Sequence, residues 1–200
     1  MDSLRDRRRA ETRRAVQSHA IRLFVEGGYG ATTVEDVAKA AGVSAMTVYR
    51  HFATKEDLVL YDEYDPLTAA ALLARPEHEP LVRRIGGALV DTAAGAVGAG
   101  AVGASDADKA LLLARLRLMI STPALRARHL DSQYATQSAI VAALCGDPPD
   151  PDDELRVRCA AAACLGATHV ALVRWAENDG RDDLPALIRT SLAHAFGTAF

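Results

Sequence analysis

The sequence predicts an all-α chain, a head of short helices followed by a larger helical body, with about nine helices in total. Three observations carry that reading. Apolar residues recur at helical spacing, while period-two alternation of β-branched and aromatic residues is missing. Ala, Leu and Arg, all good helix formers, dominate the 200 residues. The breaks between apolar stretches fall at Gly, Pro and capping residues. Half of the residues are hydrophobic and 24% are charged, enough apolar mass for a packed core.

Helix one is expected from about Thr12 to Glu26, with Val16, Ala20, Leu23 and Phe24 on one face, stopping at Gly27-Gly28-Tyr29-Gly30. Thr33 is an N-cap with Asp36 as its reciprocal partner, and opens a short second helix that ends at Gly42. Ser44 caps a third, Ala45 to His51, whose Val48 and the following Phe52 point inward. Thr54 caps a fourth helix that continues to about Ala74, kinked at Pro66. The fifth starts near Pro80 and fades in 93–104, a run of Ala, Gly and Val. Ser105 and Asp108 cap helix six, which is apolar nearly all round and therefore expected to be buried. Thr122-Pro123 opens helix seven, which ends at Gly146. Helix eight runs from about Glu154 to Asn178 and helix nine from about Leu184 to Phe196.

Several function classes are excluded. The longest uncharged stretches, such as 92–105 and 159–173, fall short of the ~18 apolar residues of a membrane span. Gln17, Ser18, His19 and Arg22 interrupt any signal-peptide core, so a cytoplasmic chain with no membrane partner is expected. Cys145, Cys159 and Cys164 lack C-x-x-C spacing, which argues against a disulfide framework. No H-x-x-x-H or C-x-x-C spacing suggests a metal, and no G-x-S-x-G or Ser-His-Asp arrangement suggests catalysis. We therefore expect no metal, no cofactor and no enzyme. The net charge of −3 hides an asymmetry. Residues 1–52 hold nine basic against six acidic side chains, and the remainder 14 against 20. A basic head on an acidic body suits a polyanionic partner for the head, or simply a solvated arm.

Thr33 to Lys55 carries the chemistry. Two short helices joined by Ala41-Gly42-Val43 have helix-turn-helix spacing, and the second fits a DNA major groove. Its outward residues would be Ala45, Met46, Thr47, Tyr49 and Arg50. Tyr49 and His51 can reach phosphates, and Lys55 sits where a helix N-terminus already favours an anion. These residues resemble the tetracycline-repressor (TetR) family of bacterial regulators. The likeness runs from Arg14 to about Leu60 and rests on Ala20-Ile21-x-Leu-Phe-x-x-x-Gly-Tyr, on Thr32 to Ser44, and on Thr47-Val48-Tyr49-Arg50-His51-Phe52-x-x-Lys55-x-x-Leu58.

The resemblance implies a helix-turn-helix DNA-binding domain with its arm at 1–54 and a ligand-binding, dimerising domain at 55–200. It places Thr33, Thr47, Tyr49, His51 and Lys55 at the DNA, with Ala45, Met46 and Tyr49 near base edges. Ala45 and Met46 carry no strong donor or acceptor. They suit thymine methyls, leaving hydrogen bonds to Arg50 or an arm arginine.

In the body, Leu116 to Arg128 resembles an actinobacterial subgroup of the family that includes mycofactocin-type regulators, described as acyl-CoA-like ligand binders. A pocket is expected from Tyr61, Tyr64, Leu113, Leu116, Met119 and Ile120, with Arg117 and Arg128 at its mouth or in structural ion pairs. Small residues on helix eight (Ala163, Gly166, Ala167) and the stripe Leu184, Leu187, Ile188 and Leu192 on helix nine are expected to form the dimer seam.

The implied function is a ligand-responsive repressor that binds a palindromic operator in double-stranded DNA as a homodimer. A small apolar effector, with an acyl-CoA as first candidate, would release it. An activator or dual regulator, and a DNA binder without a ligand, share the same sequence signature.

Overall fold

The computed structural model describes residues 4–61, 65–98, 105–197 and 200. Among them every regular element is a helix: α1 (Leu4–Gly27), α2 (Val34–Ala40), α3 (Ala45–His51), α4 (Asp57–Leu60), α5 (Asp65–Ala74), α6 (Leu81–Ala96), α7 (Asp106–Ser121), α8 (Pro123–Leu144), α9 (Pro151–Glu177) and α10 (Leu184–Phe196). The count is ten rather than nine because the expected fourth helix is two. Tyr61 leaves helical geometry (φ −55°, ψ 120°), ending α4, and α5 starts afresh with Pro66 in its first turn. Helix α4 has already ended at Tyr61, so Pro66 does not bend one continuous helix. A second difference is α7, expected to be buried, in which only Leu116, Leu118 and Met119 are buried, and a third is at the N-terminus. The arm is helical from Leu4, since Arg, Ala and Glu let helix one propagate backwards.

The chain divides into two compact units. The first holds the N-terminal residues through Tyr61 together with Arg117–His129, and the second holds the rest. The first unit is built around α1. Val16, Ala20, Ile21 and Phe24 are buried with Val37 and Ala38 of α2, Val48 and Phe52 at α3, and Leu58 and Val59 of α4. The α2 cap is the expected capping box: Thr33 Oγ1 accepts from Asp36 N at 3.1 Å, and Asp36 Oδ2 accepts from Thr33 N at 2.9 Å.

In the second unit, α6 is the centre and packs against α5, α9 and α10. Its buried residues Ile85, Ala88, Leu89 and Val90 belong to the same core as Leu72 of α5, Ala161, Cys164 and Trp175 of α9, and Ile188 and Leu192 of α10. Two adjacent glycines make close approaches possible on α6. A Cβ on Gly86 would lie 2.5 Å from the Phe200 ring, and one on Gly87 would lie 2.3 Å from the Arg75 guanidinium carbon. Arg75, resting there, bonds Glu79 at 2.9 Å and Asp91 at 3.1 Å, closing the α5–α6 turn. The turn from α9 to α10 wraps a fully buried Trp175, whose indole N–H donates to the Asp182 carbonyl at 3.0 Å.

Candidate nucleic-acid interface

The turn between α2 and α3 is set by local chemistry. Gly42 adopts φ +68°, a conformation that glycine takes at no steric cost, and Val43 N bonds back to the Ala38 carbonyl at 3.0 Å. Ser44 Oγ then accepts from Thr47 N at 3.1 Å, which starts α3. Only Val48 of α3 is fully buried. Met46 is 76% exposed and Tyr49 is 47% exposed, with Arg50 exposed beside them and Ala45, Thr47 and His51 half-buried. A seven-residue helix anchored by one inward valine thus presents Met46, Tyr49 and Arg50 outward together. Thr33 is exposed at the start of α2, but its hydroxyl is engaged in the capping box, donating to Asp36 Oδ2 at 2.6 Å.

His51 lies in a strongly basic setting. Burial, and then the positive charges of Arg13, Arg50 and Arg9, push its imidazole below the usual histidine value of 6.5, and its Nδ1 has no hydrogen-bond partner. Arg13 itself bonds the Tyr61 hydroxyl at 2.5 Å and lies 4.6 Å over the Tyr61 ring. Gln17 Nε2 donates to the Tyr61 carbonyl at 3.1 Å, and Phe52 meets the Tyr61 ring edge-on at 5.8 Å. Tyr61, expected at an effector pocket, is here held by α1 and Phe52 within the first unit.

Lys55 is also turned inward. Its ammonium donates to the Tyr29 carbonyl at 2.5 Å and lies 4.4 Å from the Tyr29 ring. Tyr29 donates its hydroxyl to Glu56 at 2.8 Å. Burial and the Glu56 carboxylate hold that phenol far above its ordinary value, so it stays a donor. Glu56 is the reverse case: burial alone raises its carboxyl, but hydrogen bonds from Tyr29, its own backbone and Thr54, with the charge of Lys55, bring the net value below normal. Sequence reasoning reads Gly27 to Gly30 only as a helix stop and misses Tyr29, Glu56, Arg13 and Gln17. An aromatic residue set between two glycines is the one available signal.

The remaining expected residues divide. Leu113 and Leu116 belong to the second unit, while Arg117, Met119, Ile120 and Arg128 belong to the first. Leu116 and Met119 are buried, Leu113 and Ile120 half-buried, and Arg117 and Arg128 exposed. Tyr64 lies outside the described residues. Of the expected seam, Ala163 and Gly166 are exposed on α9, and Ala167 and Leu187 are half-buried. Leu184, Ile188 and Leu192 are buried in the core of a single protomer, because α10 turns this stripe onto α6 and α9. They are therefore unavailable to a partner subunit.

By length and composition α9 could cross a membrane, with a mean hydropathy of 1.3 in its most apolar window. It nevertheless packs through Ala161, Cys164, Ala171 and Trp175 into the core of its own unit.

Residues 18–61 match the family model for bacterial regulatory proteins of the tetR family, and residues 87–196 match that for the MftR C-terminal domain. Among curated proteins, the transcriptional regulator TcmR of Streptomyces glaucescens is 34% identical over 177 residues, covering 86% of this chain and 76% of that protein. The repressor KstR2 of Rhodococcus jostii is 38% identical over 73 residues, covering 32% of this chain and 36% of that one. Among solved structures, the fatty acid degradation regulator FadR of Bacillus halodurans aligns with TM-score 0.57 and 20% identity over 94% of this chain and 95% of its own. FadR of Bacillus subtilis, solved in complex with stearoyl-CoA, aligns with TM-score 0.56 and 17% identity over 92% of this chain and 97% of its own.

Proposed function

The chain belongs to the tetR family of bacterial regulatory proteins, and from that premise we propose that it is a ligand-responsive repressor acting as a homodimer on a palindromic operator. That it is a DNA-binding transcriptional regulator, and not an enzyme, follows from the family itself. The observation that carries the reading is α3: one buried valine, two caps, and Met46, Tyr49 and Arg50 set outward to enter a major groove. Phosphate contacts would come from Thr47, Tyr49 and the arginines of α1, with base contacts from Ala45, Met46 and Arg50, while Thr33, whose donors both go to Asp36, holds the start of α2 in place. The site of action is the cytoplasm, where the operator is.

The dimer seam we propose keeps Ala163 and Gly166 of the sequence expectation and extends them along α9 in place of the α10 stripe. Leu155, Cys159, Ala162, Ala163, Gly166 and Val170 recur at three- and four-residue spacing on α9 and are all exposed. Leu155 and Val170 are each 61% exposed, and a Cβ on Gly166 would meet open space. An apolar stripe with small residues at its centre is suited to a second copy of itself across a two-fold axis. Two-fold symmetry in the protein then calls for an inverted repeat in the DNA, with half-sites about 34–36 Å apart.

For the effector, an acyl-CoA is the first candidate. It is supported by the MftR-type body and by the stearoyl-CoA complex of a protein sharing the fold. The test is fluorescence anisotropy with duplexes enriched by the protein from a random pool, with and without stearoyl-CoA. Saturable binding that the acyl-CoA reverses is the expected result. Binding unaffected by acyl-CoAs or free fatty acids would remove the effector from the proposal, and no enriched duplex would remove the operator.

A further inference from the structure

His51 closes α3, one residue after exposed Arg50 and two after exposed Tyr49, and is itself half-buried. Its Nδ1 is sealed from water and has no hydrogen-bond partner. The charges that act on the ring are all positive: Arg13 and Arg9 of α1, and Arg50 of α3. Glu35, Asp36 and Lys39 of α2, the helix packed against α3, are not among them, nor are Glu56 and Asp57 at the start of α4. Tyr61 meets this cluster through Arg13, which donates to its hydroxyl at 2.5 Å, so the neighbour on that side is a phenol oxygen and not a carboxylate.

Two influences oppose each other at this position. The carbonyl dipoles at the last turn of a helix favour a cation. Burial and the three guanidinium groups disfavour one, and they prevail, so the imidazole of the DNA-free chain stays neutral near pH 7. A DNA phosphate reverses the balance. It offsets the field of the arginines, and it accepts a stronger hydrogen bond from an imidazolium than from a neutral ring. We propose that DNA binding by this protein is coupled to the uptake of one proton from solvent by His51 in each head, so that the surrounding pH sets the affinity for the operator.

This coupling rests on the DNA-binding reading above and adds a regulatory input to it. A head bound to DNA keeps the His51 proton to a higher pH than a free head does. The extra affinity is therefore complete below the free value, and it is lost as pH rises through the bound value. Binding should tighten as pH falls.

The probe is a duplex enriched by the wild-type protein from a random-sequence pool at pH 7.5. It is titrated by anisotropy from pH 8 to pH 6 at constant ionic strength. Wild-type affinity should rise by roughly three- to tenfold per head over that range, since a shift of one unit corresponds to about tenfold. In calorimetry, the apparent binding enthalpy should vary with the ionisation enthalpy of the buffer in the sense of proton uptake. Both signals should vanish in His51→Gln, which keeps an amide donor but cannot titrate.

Arg9→Gln removes one of the three guanidinium groups and leaves the ring in place, so it should shrink the pH increment. Melts at each pH show whether the variants are folded; if His51→Gln is not, the buffer series and Arg9→Gln decide. Saturable binding with a flat pH profile and no proton uptake would overturn the proposal while leaving the DNA-binding reading intact. A pH dependence that survives in His51→Gln, or an increment undiminished in Arg9→Gln, would overturn it as well. If the wild type enriches no duplex, the DNA-binding reading falls and this proposal with it.

Discussion

Met46 is 76% exposed at the first turn of α3 and carries only a weakly accepting thioether. In the major groove the apolar feature it can meet is the thymine methyl. We therefore expect the selected half-site to contain a thymine whose replacement by deoxyuridine weakens wild-type binding by about 0.8 kcal/mol, roughly fourfold. In Met46→Ala the same replacement should change little. Equal sensitivity in both proteins would show that Met46 does not read that base.

His51 gives a pH prediction. Burial and the neighbouring arginines hold its folded value below 6.5, so the unfolded chain binds the extra proton first as pH falls. Stability of the head should accordingly drop as pH is lowered through 6.5 toward the folded value, and be regained as it rises. His51→Gln should flatten that limb in thermal melts at pH 5 to 7.5, and an unchanged pH profile would rule the histidine out as its source.

At the scale of elements, caps explain why so much is readable. Thr33 with Asp36, Ser105 with Asp108, and Asp183 at α10 each satisfy a helix N-terminus through a partner three residues away, so the signal lies within a single turn. Thr33→Ala should cost about 1 kcal/mol in chemical denaturation, within the usual range for such caps. What stays unread joins residues distant in sequence. Arg13 meets Tyr61 across 48 positions and Lys55 meets Tyr29 across 26, and no periodicity encodes such pairs.

The α10 stripe is legible as apolar, but its partner is not. A helix has one apolar pattern whether it faces its own core or another subunit, and only packing on α6 decides the matter. The glycine pair of α6 belongs to the same class. Gly87→Ala meets only the far end of the flexible Arg75 side chain, so it should shift the guanidinium away from Glu79 and Asp91 while gaining up to about 1 kcal/mol of helix propensity, and a melt well below wild type would contradict this.

For the whole molecule, the two expectations for the C-terminal helices separate cleanly. Gly166→Arg adds bulk and charge to a position open in the protomer, so it should leave each subunit folded and yield monomers in sedimentation. Leu192→Ala, at a fully buried site, should instead cost about 2–5 kcal/mol of stability and leave the assembly otherwise unaltered. The reverse pattern would return the seam to α10.

The exposed α9 stripe has a further consequence for how the protein would behave at low copy number. A regulator that must pair before it grips an inverted repeat occupies its site in proportion to the square of its protomer concentration, as long as pairing is incomplete. Halving the amount of protein would then cut occupancy about fourfold, so a stripe of small side chains turns a graded supply of protein into a threshold in gene expression.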